Sequence, residues 1–280
     1  MKKTIDNRLS EVPSIQREFL LTSVEKLKSD KRILGVAIGG SILSNNMDEY
    51  SDLDLIVVID HEEYQAVLKE RKKIAQSIGP LLEAFTGEHA GEPRLLICLY
   101  GPPLLHVDLK FISINEAKER VEDPLIVWER DTALTENLFQ GEPRIPTTDL
   151  EWIENRFWVW THYVAAKIGR GELFDVIDGM SFLRVRVLGP MIQTKMGNHP
   201  QGVRRIEKWG ASYMKDLKRT APAHDRISCL SAINTTIELY RDLRKELNQG
   251  KKEAVSKVEL EAVKYLKEIE KEIKKDNASS

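Results

Sequence analysis

Gly39, Gly40, Ser41, Asp52, Asp54 and Asp108 are the residues of this 280-residue chain whose types and spacing best suit phosphoryl transfer. Two adjacent glycines let the backbone turn sharply and approach another group with no Cβ in the way, and a following serine offers a hydroxyl and an amide to phosphate oxygens. Asp52 stands eleven residues beyond Ser41, with Asp54 two further on. Carboxylates two apart on a strand project side by side on one face. Their oxygens suit a hard divalent cation such as Mg²⁺, which commonly carries substrate phosphates on its remaining positions. A glycine pair or a D-x-D alone is a common turn or strand-end feature. The ordered set is more specific: a strand, GGS, a spacer, a strand opening on two aspartates, and a later strand with a third inward carboxylate, Asp108.

The elements that must hold these residues can be read from hydrophobic periodicity. Ile15, Phe19, Leu20, Val24 and Leu27 recur at helical spacing, so a helix is expected to end near Asp30. ILGVAI (33–38) is too short for a helix and runs into GGS, which predicts a buried strand entering a tight turn. In SDLDLIVVID, Asp52, Asp54, Ile56 and Val58 alternate with Leu53, Leu55 and Val57, so the next strand carries both carboxylates on one face. Residues 62–86 read as mostly helical, from Tyr64, Val67, Leu68 and Ile74 to Leu81, Leu82 and Phe85. RLLICLY, GPP and LLHVDLKFI predict an antiparallel pair in which His106, Asp108 and Lys110 share a face, and PLIVWER an edge strand.

QGEPRIPTTD interrupts this pattern, and Thr148 or Asp149 is placed to cap a following helix. We expect one domain over 1–146 and a second over 147–280. The first carries 18 Lys and Arg against 25 Asp and Glu, a charge of −7, and the second 24 against 19, or +5. Beyond Asp149 strand signals almost vanish, and Trp152, Ile153, Phe157, Trp160, Val164 and Ile168 recur at helical spacing, as do Ile233, Ile237, Tyr240, Leu243 and Leu247. The last helix, about 257–274, should pack Val258, Val263, Leu266, Ile269 and Ile273. The expected fold is an α/β (α+β) mixed-sheet domain followed by an all-α bundle.

GVAIGGSILSNNMDEYSDLDLIVV resembles the signature of the polymerase-β-like nucleotidyltransferase superfamily, and the Asp of HVDLKFI resembles its third carboxylate. PLIVWERDTALTENL and FWVWTHYVAAKIGRGELFDVIDGMSFLR are similar to segments of antibiotic nucleotidyltransferases, closest to the aminoglycoside and lincosamide groups. The resemblance covers most of the first 190 residues. It implies a nucleotidyltransferase-type fold and transfer of a nucleoside monophosphate, AMP if the donor is ATP, to a hydroxyl of a small molecule with release of pyrophosphate. It also implies Asp52, Asp54 and Asp108 as ligands of two Mg²⁺ ions, Asp108 as ligand or base, Gly39, Gly40 and Ser41 as triphosphate contacts, and Lys167 as a further one. ATP and GTP both remain open as donor.

Each secondary candidate has a plainer rival. Lys167 is equally readable as an exposed helix lysine. Asp175 and Asp178, three apart, would attract a cationic acceptor or simply face water. His106 reads as a hydrogen-bonded strand residue, since no His/Cys cluster accompanies it. Of Trp152, Trp158 and Trp160, at least one should enter the bundle core, leaving base stacking open to another.

The net charge of −2 is too weak to argue for a strong nucleic-acid or anionic-membrane partner. GVRRIEKWG (202–210) is the best basic patch and is short, which disfavours a tRNA-type acceptor. Cys98 and Cys229 are not expected to pair, Cys98 lying in an apolar run. The N-terminus lacks an apolar export segment and no run approaches a bilayer span, which places the protein in the cytoplasm by expectation. The rival readings are a transferase acting on a protein or RNA end, and a nucleotide-binding regulator without turnover. The three aspartates argue against the regulator. Acceptor identity and oligomeric state are not written in these residues.

Overall fold

The structure is a computed structural model that describes residues 8–248 and 255–278. The extreme N-terminus read for an export signal lies partly outside the described residues. By packing, the chain divides into two compact units, Met1–Ile145 and Pro146–Ser280.

In the first unit, α1 (Ser14–Leu27), β1 (Ile33–Ile38), β2 (Leu53–Ile59), α2 (Tyr64–Ile78), β3 (Leu81–Gly87), β4 (Glu92–Tyr100), β5 (Leu105–Ser113), β6 (Leu125–Glu129) and α3 (Ala133–Leu138) follow in order. The strands form one six-stranded sheet, ordered β3-β4-β5-β2-β1-β6. β2 and β5 run parallel, and the other neighbours are antiparallel.

Strand parity divides this sheet. Leu53, Leu55, Val57 and Ile59 of β2 join Val107, Leu109 and Phe111 of β5 in a core with residues of α1 and α2. Each is an essentially closed side chain, contributing about 1.5–3 kcal/mol by its removal from water. The alternate residues Val58 and Ile112 join Ala37, Ala117 and Leu134 in a smaller cluster on the other face, with Ile56 packed against it. Asp54 and Asp108 have that same parity. The acids therefore stand on the thinly covered face while the opposite face anchors the strands.

Residues 81–86 correct the helical expectation. Their Leu81, Leu82 and Phe85 continue the spacing of α2, but Gly79 and Pro80 end that helix and the chain returns as β3, antiparallel to β4. A Cβ at Gly79 would lie 2.7 Å from the Phe19 ring, so the break also lets the chain pass close to α1. α3 follows the edge strand and was not expected.

The second unit is helical: α4 (Leu150–Arg170), α5 (Leu173–Leu183), α6 (Gly189–Lys195), α7 (Ile206–Trp209), α8 (Met214–Arg219), α9 (Arg226–Leu247) and α10 (Lys257–Ala278), with a π-helical stretch at Arg184–Leu188. Pro190, just beyond that stretch, has no N–H to continue regular α-helical bonding. Asp149 caps α4 by accepting the Trp152 amide at 2.8 Å, and Gly171 ends it at φ 75°. Trp158 is the tryptophan that enters the core. Its ring meets Phe157 and Tyr240 edge-on, and those two stack 3.7 Å apart. Along α10 the buried stripe is Glu259, Ala262, Leu266, Ile269 and Ile273, with Val263 half-buried, while Val258 is exposed, contrary to expectation. Cys98 and Cys229 are both free and buried. Among the described residues, no helix is long and apolar enough to cross a membrane.

Candidate active site

β1 delivers the chain to Gly39, whose amide donates to the Asp54 carbonyl at 2.9 Å and so extends the β1–β2 pairing into the turn. Gly40 then adopts φ +70°. A Cβ there would lie 1.9 Å from Asp54 Oδ2 and 2.9 Å from its Cγ. Glycine is thus required twice, by the left-handed backbone and by a carboxylate packed against its Cα. In the structure the space a Cβ would take is filled by the Asp54 carboxylate.

Ser41 is buried and its hydroxyl has no hydrogen-bond partner among the described residues. An orphaned buried hydroxyl is costly unless something else satisfies it. The Gly40 amide donates to Glu122 Oε1 at 3.3 Å, so a carboxylate already occupies one donor of the turn. Glu122 sits between β5 and β6, where no periodicity announces it.

Parallel pairing sets Asp54 of β2 in register with Asp108 of β5. Asp52 stands just before β2. Oxygens of Asp52 and Asp108 and a ring nitrogen of His106 all lie within 4.8 Å of one another, and His106 Nε2 is 2.9 Å from Asp108 Oδ1. The fold thus gathers two of the three sequence-predicted acids, Asp52 and Asp108, into one donor group, while Asp54 stands in register with Asp108 with its carboxylate against Gly40 rather than in that group. It adds His106, which parity had put on the Asp108 face but which sequence reasoning read as a strand residue. The donor set of carboxylate oxygens fits a hard divalent cation, and the Ser41 hydroxyl beside the Gly40 amide fits phosphate oxygens.

One strand step beyond Asp54 and Asp108, Ile56 and Lys110 line a cavity of about 500 Å³ that extends to Glu122 and Arg144. Its wall carries a chain of ion pairs. Lys110 Nζ lies 2.8 Å from Glu92, Glu92 is held bidentately by Arg94 at 2.7 Å, and Arg94 reaches Glu116 at 3.3 Å. The Arg94 guanidinium, aided by Lys110 and opposed by burial, holds the Glu92 carboxyl down to about 2.

Lys167 belongs to the second unit, on α4. Its ammonium pairs with Glu172 and with Asp175 at 2.7 Å, and lies 5.4 Å from the Tyr163 ring centre. The hydrogen bonds it donates to Asp175 and then Glu172 raise its pKa above the ordinary lysine value. Asp175 is therefore engaged by Lys167, a pairing the sequence reading did not foresee.

The family model described as streptomycin adenylyltransferase matches residues 16–269. No curated protein sequence matches the chain. Among solved structures, an aminoglycoside 6-adenyltransferase from Bacillus subtilis is 17% identical, with 92% of this chain and 99% of that one covered and a TM-score of 0.38. A nucleotidyltransferase-like protein from Exiguobacterium sibiricum 255-15 is 13% identical, covering 85% of this chain and 78% of that one, with a TM-score of 0.32.

Proposed function

The chain belongs to the streptomycin adenylyltransferase family, and from that premise we propose that it is a metal-dependent nucleotidyltransferase moving AMP from ATP to a hydroxyl of an aminoglycoside-like small molecule. The observation that carries the reading is the register of Asp54 with Asp108 beside a left-handed Gly40 and a buried, unpartnered Ser41 hydroxyl. Asp52, Asp54 and Asp108 are the residues that would hold Mg²⁺, whose bound charge neutralises the triphosphate and eases ionisation of the acceptor hydroxyl.

The chain's own groups have separate tasks. Gly39 shapes the turn, while the Gly40 amide and Ser41 hydroxyl donate to phosphate oxygens, the incoming phosphate replacing the Glu122 carboxylate on that amide. Lys167 is assigned to the polyphosphate. The acceptor oxygen attacks the α-phosphorus in line, a new P–O bond forms, the bond to the β-phosphate oxygen breaks, and pyrophosphate leaves. Asp108 receives the hydroxyl proton on Oδ2, since Oδ1 is engaged by His106. Neutral Asp108 returns that proton to solvent after product release.

The test is incubation with ATP labelled in the α-phosphate, Mg²⁺, and separate aminoglycosides, lincosamides, a protein mixture and tRNA. Labelled AMP on an aminoglycoside with equimolar pyrophosphate is the expected outcome. Label on protein or tRNA alone would replace the acceptor assignment, and no transfer to any of them would sink the reading.

A further inference from the structure

His106 is the residue at this site that the proposed chemistry leaves without a task of its own. It lies two residues before Asp108 on β5, and β2–β5 pairing begins at Leu53 opposite Val107, so one step further out Asp52 and His106 face each other at the open end of the pair. Asp54 sits one step inward, with its carboxylate against Gly40. The donors gathered most tightly are therefore two carboxylate oxygens and an imidazole nitrogen, all within 4.8 Å.

We infer that His106 is a nitrogen ligand of the divalent ion held by Asp52 and Asp108, and that its imidazole raises the affinity of the site for a first-row transition ion such as Co²⁺ far more than its affinity for Mg²⁺. The inference rests on the reading of those two aspartates as metal-holding residues. Its first support is spacing. Neighbouring ligands around an octahedral ion with bonds of about 2.1 Å lie roughly 3.0 Å apart, and opposite ones roughly 4.2 Å. The 2.9 Å between His106 Nε2 and Asp108 Oδ1 fits neighbouring positions, and the 4.8 Å limit on the whole set admits Asp52 as a third ligand. The second support is access. The His106 side chain is half exposed and that of Asp108 about one-fifth exposed, so the outer side is open to water or phosphate oxygens.

Donor chemistry gives the preference. Mg²⁺ is selective for oxygen, whereas imidazole strengthens binding of ions later in the first transition row. Replacing one oxygen donor by a neutral imidazole therefore favours Co²⁺ over Mg²⁺. Coordination through Nε2 leaves Nδ1 as the protonated nitrogen and leaves Asp108 Oδ2 available for the acceptor proton. The rival role, in which His106 only orients Asp108 by a hydrogen bond, predicts that a side chain keeping that hydrogen bond also keeps the Co²⁺ affinity.

The experiment uses the full chain without nucleotide, so its readout is independent of turnover. Co²⁺ binding is followed by visible absorption and Mg²⁺ binding by calorimetry, for wild type, His106→Ala and His106→Gln, each checked by circular dichroism. Glutamine keeps an amide able to bond Asp108 but is a poor transition-metal ligand. Both variants should lose at least roughly tenfold to a hundredfold in Co²⁺ affinity, since removing a ligand costs no less than removing a group that only orients one, with Mg²⁺ affinity changed less than about threefold.

Co²⁺ affinity in either variant within twofold of wild type would overturn the inference, as would loss in His106→Ala alone, which would mark a hydrogen-bonding role. Asp52→Asn separates this failure from that of the functional reading. If it abolishes Mg²⁺ binding and transfer while the His106 variants keep Co²⁺, only the ligand inference falls. If Asp52→Asn keeps both Mg²⁺ binding and transfer, the functional reading falls with it.

Discussion

In the helical unit, Glu154 and Glu259 each meet guanidinium groups, whereas in the sheet unit oxygens of Asp52 and Asp108 and an imidazole nitrogen gather within 4.8 Å of one another. Glu154 takes Arg244 at 2.9 and 3.0 Å, the Trp158 indole at 3.0 Å and the Tyr240 hydroxyl. Glu259, almost wholly buried on α10, takes Arg241 at 2.7 Å and Arg244 at 3.1 Å. Burial pushes the Glu154 pKa up, but hydrogen bonds from Tyr240 and Arg244 outweigh it and the net shift is down. Acids compensated in this way tie α4, α9 and α10 together. Acids that converge on one another repel until a cation arrives, and that is the expected signature of a binding site.

The largest expected effects follow from breaking one member of each set. Asp52→Asn should lower AMP transfer on the order of 10³-fold, the scale for removing a charged group from a transition-state site, while the melting temperature stays level or rises because a repulsion is relieved. Glu259→Gln should do the reverse. Leaving Arg241 and Arg244 short of a buried partner should cost about 3 kcal/mol in urea unfolding, with turnover per folded molecule within about twofold. A destabilised Asp52→Asn with normal transfer, or a stable and inactive Glu259→Gln, would dissolve the contrast.

The glycines sharpen it next. Gly40→Ala meets both a left-handed backbone, a strain of about 1–2 kcal/mol, and the Asp54 carboxylate at 1.9 Å. Displacing Asp54 should lower kcat on the order of tenfold to a hundredfold. Gly91 is the control, because its φ is +76° but, among the described residues, no heavy atom outside its immediate neighbours lies within 4 Å of its added Cβ. Gly91→Ala should show a similar loss in unfolding free energy with normal kcat. Equal kinetics for the two variants would return Gly40 to a plain turn role.

These distinctions were unevenly legible in the sequence. Period-two alternation in SDLDLIVVID and HVDLKFI is set by the strand itself, so the face carrying Asp52, Asp54 and Asp108 could be read directly. β3 could not, because Leu81, Leu82 and Phe85 also fit the helical spacing of α2 and only Gly79–Pro80 marks the change. Glu122 reaches the Gly40 amide from 82 residues away, through a loop with no periodic signal. His106 was placed on the correct face, yet its approach to Asp52 depends on β2 and β5 being parallel, a pairing the sequence leaves open. Glu259 reads as a solvated acid in a Lys/Glu-rich helix until α9 supplies its two arginines.

Lys167 tests the comparison from the helical side, since it resembles the compensated pairs but is assigned to phosphate. Lys167→Ala should lower kcat/KM for ATP roughly tenfold to a hundredfold, the range for a lost charge-assisted phosphate contact, with the acceptor KM little changed. ATP should be varied at saturating acceptor. A change below about twofold would leave Lys167 as a partner of Asp175 and Glu172 only.

The smallest expected effect shows that the division between the two kinds of acid runs across the sheet itself. Glu92 belongs to the first unit, but Arg94 and Lys110 compensate it as arginines compensate Glu259. Its pKa is depressed from 4.5 to about 2, so the native state favours the ionised form more strongly than the unfolded chain does. This stabilisation is fully present above about pH 4.5 and is lost as pH falls through about 2. The shift taken alone corresponds to as much as ~3 kcal/mol, and screening at this partly open cavity wall reduces it to ~1 kcal/mol. Glu92→Gln should therefore be about 1 kcal/mol less stable than wild type near pH 6, with the difference closing toward pH 2, as measured by urea unfolding across that range. A difference independent of pH would mean that packing, rather than charge, sets the role of Glu92. A closing difference would place the change from compensated to converging acids between Lys110 and Asp108, one strand step apart on the same face of β5.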